Sequence, residues 1–378
     1  MSMIHRRQLL AGLTAGAASL AAPVLAQSER RIVLGQSCAM TGPAAQLGLQ
    51  MNRGARIVFD ALNAAGGVNG HPIDLRVVDD GYEPDRCKAN TEQLIKEDVF
   101  ALFGYVGTPT SLAALPLVND EKIPFVGPFT GAEALRDPFS RSVFHVRASY
   151  YDETALIVKQ LTSLGLKKIA VFRQNDSYGQ AGLDGVVKAL KAQNLAPVAV
   201  GLVERNTVDV AAAVKAIVPT QPDAVVQIGA YKGCAAFIRA ARKAGYGGTF
   251  YNVSFVGTQA LADELGRDGA GVVISQVMPF PFSTTTPVAR EFIAAVQKAG
   301  GDAAANYSSM EGFIAAKVFA EGLRRAGRNP SRDALVSALE SMQRWDLGGF
   351  SCGFGPRDHA GSSFVELSML TGDGKVRR

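Results

Sequence analysis

Histidine, cysteine and tryptophan are scarce in this chain, with four, four and one among its 378 residues. The first two scarcities each remove a class of function. The wide spacing of Cys38, Cys87, Cys234 and Cys352 excludes a zinc ribbon and a CxxC redox motif. His71, His145 and His359 stand in turns or at strand edges, none beside a Ser or Cys in a nucleophilic spacing. There is no HExxH, no P-loop and, past the N-terminal leader, no GxGxxG. Asp79-Asp80 reads as an acidic pair ending a strand rather than a ribose or metal contact. Charge of one sign is also lacking: 39 basic against 34 acidic residues give +5, and without the leader's Arg6 and Arg7 only +3. With no basic cluster interleaved with aromatics, nucleic acid is excluded.

Long apolar runs are confined to Leu9–Ala22, short of the roughly 20 residues a spanning helix needs. Arg6-Arg7 precede this run and Val24-Leu25-Ala26 follow it as a small-residue cleavage site, so residues 1–26 read as an export signal of twin-arginine type. The predicted location is the periplasm, as a soluble chain. In that oxidising compartment Cys38 and Cys87, at the end of the first strand and the start of the second helix, either pair or remain, with the other two, buried free thiols.

What the sequence has is one repeated unit: an apolar strand, a Gly-rich or polar turn and an amphipathic helix. "RIVLGQSC" precedes a helix near 45–64, "IDLRVVDD" one near 85–97, "FALFGY" one from Pro109, and "IPFVGPF" leads into "TGAEALRD". A second series follows, "KIAVFRQN" with a helix near 177–193, "APVAVGLV" with one near 208–218, "AVVQIG" with one near 231–244, then "GTFYNVSF" and "GVVISQVMPF". Such alternation predicts α/β architecture with doubly wound parallel sheets and turns gathered on one edge of each. Three interruptions, near 143–154, 276–288 and 348–370, divide the chain into two lobes: 31–148 plus 280–361, and 149–279 plus 362–378. The last interruption has hairpin-like strand composition.

One turn stands out. In "ALFGYVGTPTSLAALPLVND" the strand breaks at Gly104 to Gly107, Thr108 reads as the N-cap and Pro109 as the first helical residue. No acid follows before Asp120, so the open amides of the first turn and the hydroxyls of Thr108, Thr110 and Ser111 suit an external anion. Thr108 capping only its own helix is the plainer alternative.

The full chain past the leader resembles the type I periplasmic binding proteins of the leucine/isoleucine/valine-binding kind, receptors of ABC importers. The resemblance rests on "MTGPAAQLG", "NAAGGVNGHPIDLRVVDD", "FGYVGTPTS", "PFTGAEAL", "NDSYGQAGLDGV", "IGAYKG" and "HAGSSFVELSML" in this order. It implies a monomer without cofactor, whose cleft closes on a small ligand for delivery to an inner-membrane permease; branched-chain or other amino acids are the implied class. The ligand carboxylate belongs at the turn of Thr108 and Pro109, with Thr130 and Gly131 in the next turn, although Thr130 and Glu133 also read as a capping box. Tyr178, Tyr231 and Leu47 match ligand-covering positions, and Tyr82, Tyr105, Phe129, Tyr150 and Tyr151 are further candidates. Where leucine-binding relatives carry an acid for the ligand ammonium, this sequence has Ser254. Either Asp152 or Asp176 substitutes, or the ligand is an aromatic or aliphatic acid without an ammonium. A sensor, and more remotely a hydrolase or nucleotide-binding enzyme, are the competing functions.

Overall fold

The computed structural model describes residues 31–378; the export signal and its cleavage site lie outside the described residues. The first sheet is built from β1 (Ile32–Cys38), β2 (Ile73–Asp79), β3 (Ala101–Phe103), β4 (Phe125–Val126) and β5 (Val143–Phe144), all parallel in the order β2-β1-β3-β4-β5. Helices α1 (Ala45–Ala64), α2 (Pro84–Lys96) and α3 (Thr108–Asp120) are its crossovers. The chain then enters α4 (Tyr150–Ser163). Its start is fixed by a capping box, with the Ser149 hydroxyl accepting from the Asp152 N–H and the Asp152 carboxylate accepting from the Ser149 N–H. The first interruption is therefore shorter than the sequence suggests, because its last five residues, 150–154, begin a helix.

The second sheet contains β6 (Ile169–Gln174), β7 (Val200–Val203), β8 (Ala224–Ile228), β9 (Thr249–Asn252) and β10 (Val273–Gln276), linked by α5 (Ser177–Lys191), α6 (Ala211–Ile217), α7 (Tyr231–Lys243) and α8 (Thr258–Leu265). Three helices without strands follow: α9 (Pro287–Ala299), α10 (Tyr307–Arg325) and α11 (Arg332–Glu340). They return to the first sheet's layer. Helix α10 lies along α1, and the two backbones come so close that a Cβ on Gly312 would sit 2.1 Å from the Met51 carbonyl oxygen. Only glycine allows that approach, which fixes the depth of the adjoining Glu311.

Within 348–370 the hairpin-like expectation holds only for a tight turn, where Gly355 and Asp358 exchange backbone hydrogen bonds and Gly353 N–H donates to the Gly361 carbonyl at 2.9 Å; the strands of the segment pair outside it. Strand β11 (Trp345–Asp346) pairs with β12 (Ser351–Cys352), whereas β13 (Glu366–Leu370) runs antiparallel to both β10 and β14 (Val376–Arg377), completing the order β14-β13-β10-β9-β8-β6-β7. Between them the chain crosses from one layer to the other and needs a partner there. It finds the first crossing: His145 N–H donates to the His359 carbonyl at 2.9 Å and Gly361 N–H to the His145 carbonyl at 2.7 Å. The histidines are structural. His359 stacks on Phe144 with centroids 3.9 Å apart, and the ring nitrogens of His145 and His359 meet the Leu135 and Val143 carbonyls.

All four thiols are buried and free, so Cys38 and Cys87 form no disulfide. The sequence placed them correctly at neighbouring element ends, but Cys38 Sγ turns to Met40 Sδ at 3.6 Å and burial pushes the Cys87 thiol up.

Candidate ligand site between the sheets

The carboxyl edges of the two sheets face each other across a set of buried turns. At the start of α3 the N-cap is Gly107, with φ of 106°, and a Cβ there would sit 2.2 Å from the Tyr82 ring. Thr108 is therefore the first helical residue rather than the cap, and Pro109 follows it. Its hydroxyl is free of capping duty. It shares a 2.7 Å hydrogen bond with Thr130 Oγ1, which also donates to Tyr150 Oη at 3.3 Å. Thr130 and Glu133 form no capping box: the short 3-10 turn Glu133–Leu135 has Ala132 as its N-cap, and Thr130 Oγ1 accepts from the Ala132 N–H instead. The Gly131 carbonyl accepts from the Tyr150 N–H at 2.7 Å. Ser111 Oγ is buried without a partner.

Rings close over this edge. Phe255 packs against Tyr82, Phe129 and Tyr178 with centroids 5.8, 5.6 and 4.5 Å apart, and Tyr178 lies 5.5 Å from Tyr150. The buried Tyr178 hydroxyl has no partner. Leu47 reaches Gly257, and the Tyr231 hydroxyl accepts from the Gln46 backbone, so both bridge the layers. Tyr105 lies elsewhere. Its hydroxyl meets Thr91 at 3.1 Å and its ring meets Phe125 at 5.0 Å, in a separate core with Cys87 and Leu94. Tyr151 is half-buried, with Lys188 Nζ 4.5 Å from its ring centroid.

Neither acid proposed to replace the one missing at Ser254 reaches it. Asp152 is held in the cap of α4, and Asp176 caps α5 through the N–H groups of Tyr178 and Gly179 at 3.0 and 3.2 Å. The acids beside Ser254 are Glu153 and Glu311, and with them comes a fully buried arginine, Arg147, on the first crossing. Arg147 Nη2 donates to Ser254 Oγ and to Glu153 Oε1, the latter at 3.3 Å, while Nη1 lies 3.5 Å from Glu311 Oε1. Its guanidinium carbon is 5.0 Å from the Phe129 centroid. Glu153 is fully used, accepting also from Ser254 N–H at 2.7 Å, Ser254 Oγ at 3.0 Å and Ser275 Oγ at 2.5 Å. Burial raises Glu311 to about 7, with Glu153 adding to the rise and Arg147 opposing it. The sequence reading missed this triad. Its signals were present: an arginine following the apolar strand residues of "VFHVRAS", and a glutamate among small and apolar residues at the start of "SSMEGFIAAKVF".

At the outer rim, Arg205 Nη2 pairs with Glu83 Oε2 at 2.7 Å, and Asn206 Nδ2 donates to Glu83 Oε1 and the Gly81 carbonyl at 2.7 and 3.0 Å. Among the described residues no group of three or more His, Cys, Asp or Glu could hold a metal ion, and no helix is long and apolar enough to cross a membrane.

Two α/β layers joined by paired crossings, with a polar and aromatic interface at their carboxyl edges, define a two-lobed binding protein. The chain belongs to the periplasmic binding protein family, which matches residues 31–375. It is similar to a possible leucine/isoleucine/valine-binding protein from Rhodopirellula baltica, with 35% identity and a TM-score of 0.88 over 92% of this chain and 96% of that one. A substrate-binding periplasmic protein from Ralstonia solanacearum is 33% identical, with a TM-score of 0.87 over 91% and 99% of the two chains. Leu/Ile/Val-binding protein homolog 7 from Brucella suis is 27% identical over 96% of this chain and 91% of its own. The fold is thus the type I periplasmic-binding-protein fold, and the chain is a substrate-binding protein, not an enzyme.

Proposed function

We propose that this protein is the periplasmic, monomeric receptor of an ABC importer, which closes on one small carboxylate-bearing ligand, a branched-chain or other amino acid, and presents it to the permease. The lobes are residues 31–148 plus 280–361 and residues 149–279 plus 362–378. The observation that carries this reading is the buried start of α3. An acid-free first turn, the linked hydroxyls of Thr108 and Thr130, and the unpartnered Ser111 Oγ converge where Tyr150 and Tyr178 of the other lobe meet it. The Leu/Ile/Val-binding names of the relatives support the ligand class. Pro109, Phe129, Gly131, Tyr231, Leu47 and Ser254 complete the proposed contacts; Tyr105 is left out of them. A second reading, an aromatic or aliphatic acid without an amine, is favoured by the serine at 254 and by the rings around Phe255.

Closure moves the lobes about the paired crossings. Small-angle scattering with saturating ligand is expected to give a smaller radius of gyration than without it. An unchanged profile at saturation would contradict the closure.

A further inference from the structure

Around Arg147 two buried carboxylates are unequal in their partners. Glu153 accepts four hydrogen bonds, from Arg147, Ser275 and twice from Ser254. Glu311 receives none from any described residue and touches Arg147 only at 3.5 Å, while Arg147 Nη1 itself lacks a hydrogen-bond partner. Arg147 and Glu153 neutralise each other, so Glu311 is the surplus acid. It faces a cavity of about 10 Å³ that Phe129, Ser254, Gln276 and Tyr307 also line. That is about the room a water needs, and an ammonium group is of the same size. Phe129 ties this cavity to the carboxylate end of the site, because its neighbour Thr130 is bonded to Thr108.

We propose that Glu311 is the specificity-determining acid that takes the positively charged end of the ligand, so that the cargo is a zwitterionic amino acid and not an amine-free carboxylate. This rests on the reading of the site as a carboxylate receptor. A buried carboxylate without a donor is costly, and a cation arriving beside it removes the cost. The titratable and charged groups facing Glu311 are Arg147 from the first crossing, Glu153 from α4 and Tyr307 from its own helix.

Because burial holds Glu311 near 7, the two ligand classes differ in the sign of proton exchange. An ammonium lowers the pKa of Glu311 and drives a proton off. A carboxylate without an ammonium raises it and draws a proton on.

The test is calorimetric titration at pH 7 in two buffers of different ionisation enthalpy. L-leucine, L-valine and L-phenylalanine are compared with 4-methylpentanoate, 3-methylbutanoate and 3-phenylpropanoate. At least one amino acid is expected to bind with proton release, and Glu311→Gln to weaken it about ten- to a hundred-fold and abolish the release. The proton count on the unmodified protein stands even where the variant folds poorly. Binding of an amine-free acid with proton uptake, or of an amino acid with no proton exchange and no loss in Glu311→Gln, would overturn the inference. In either case Thr108→Ala still weakens binding if the carboxylate reading holds. Should neither series bind, the inference and that reading fall together.

Discussion

At the residue scale, the interior is organised by charges that cannot be removed singly. Arg147 is fully enclosed, and its loss leaves Glu153 and Glu311 facing each other without a cation. Breaking a buried ion pair costs about 3–5 kcal/mol, so Arg147→Met is expected to lower the urea midpoint by that equivalent. A midpoint within about 0.5 kcal/mol of the unmodified protein would show that the triad contributes little. Thr108 and Thr130 form the other coupled pair. Because their hydroxyls share one hydrogen bond, each alanine substitution should weaken ligand binding by about 1.5–3 kcal/mol, with the double variant losing less than the sum. Calorimetry giving additive losses would mean that they act separately. These residues differ in how legible they were. The Thr108 turn follows from local chemistry, Gly-Thr-Pro with no acid nearby. Glu153 and Glu311, far apart in sequence, meet only through long-range packing, and a capping box read from Thr130 and Glu133 lost to a hydroxyl brought in from Thr108.

At the element scale, strand–turn–helix alternation was readable because a parallel strand buried on both faces is a continuous apolar run, and its crossover helix is amphipathic. The helices near 45–64 and 177–193 are found as Ala45–Ala64 and Ser177–Lys191. The segment 348–370 was only partly readable: the chain does turn back at Gly355 to Asp358, but strand composition leaves open whether the strand partners are local or in another layer, and they proved to be β10, β11, β14 and the first crossing. The rim contacts are likewise a product of tertiary structure. Glu83 at the start of α2 accepts from Arg205 and Asn206 in the turn after β7, which clasps the two edges together opposite the crossings. Such a partly exposed clasp contributes modestly, so Glu83→Gln should raise Kd only a few-fold, by about 0.2–1 kcal/mol, and mainly through faster ligand release. Stopped-flow measurements that place the whole effect in the association rate would contradict a clasp on the closed form.

At the scale of the whole molecule, the two layers, their crossings and one buried helix start suit the proposed receptor, in which the donors of that helix start offset the cost of desolvating a ligand carboxylate between the lobes. Competing ideas about the ligand's other end leave this claim untouched. It is tested most directly by thermal unfolding with each of leucine, valine and phenylalanine, their amine-free counterparts, and the carboxamides of all six. A ligand at a hundred times its Kd stabilises by about 2.7 kcal/mol, a rise of several degrees in Tm. The account predicts that at least one free acid raises Tm and that its carboxamide, identical except for the lost negative charge, does not. Equal stabilisation by acid and carboxamide, or none by any acid, would contradict it.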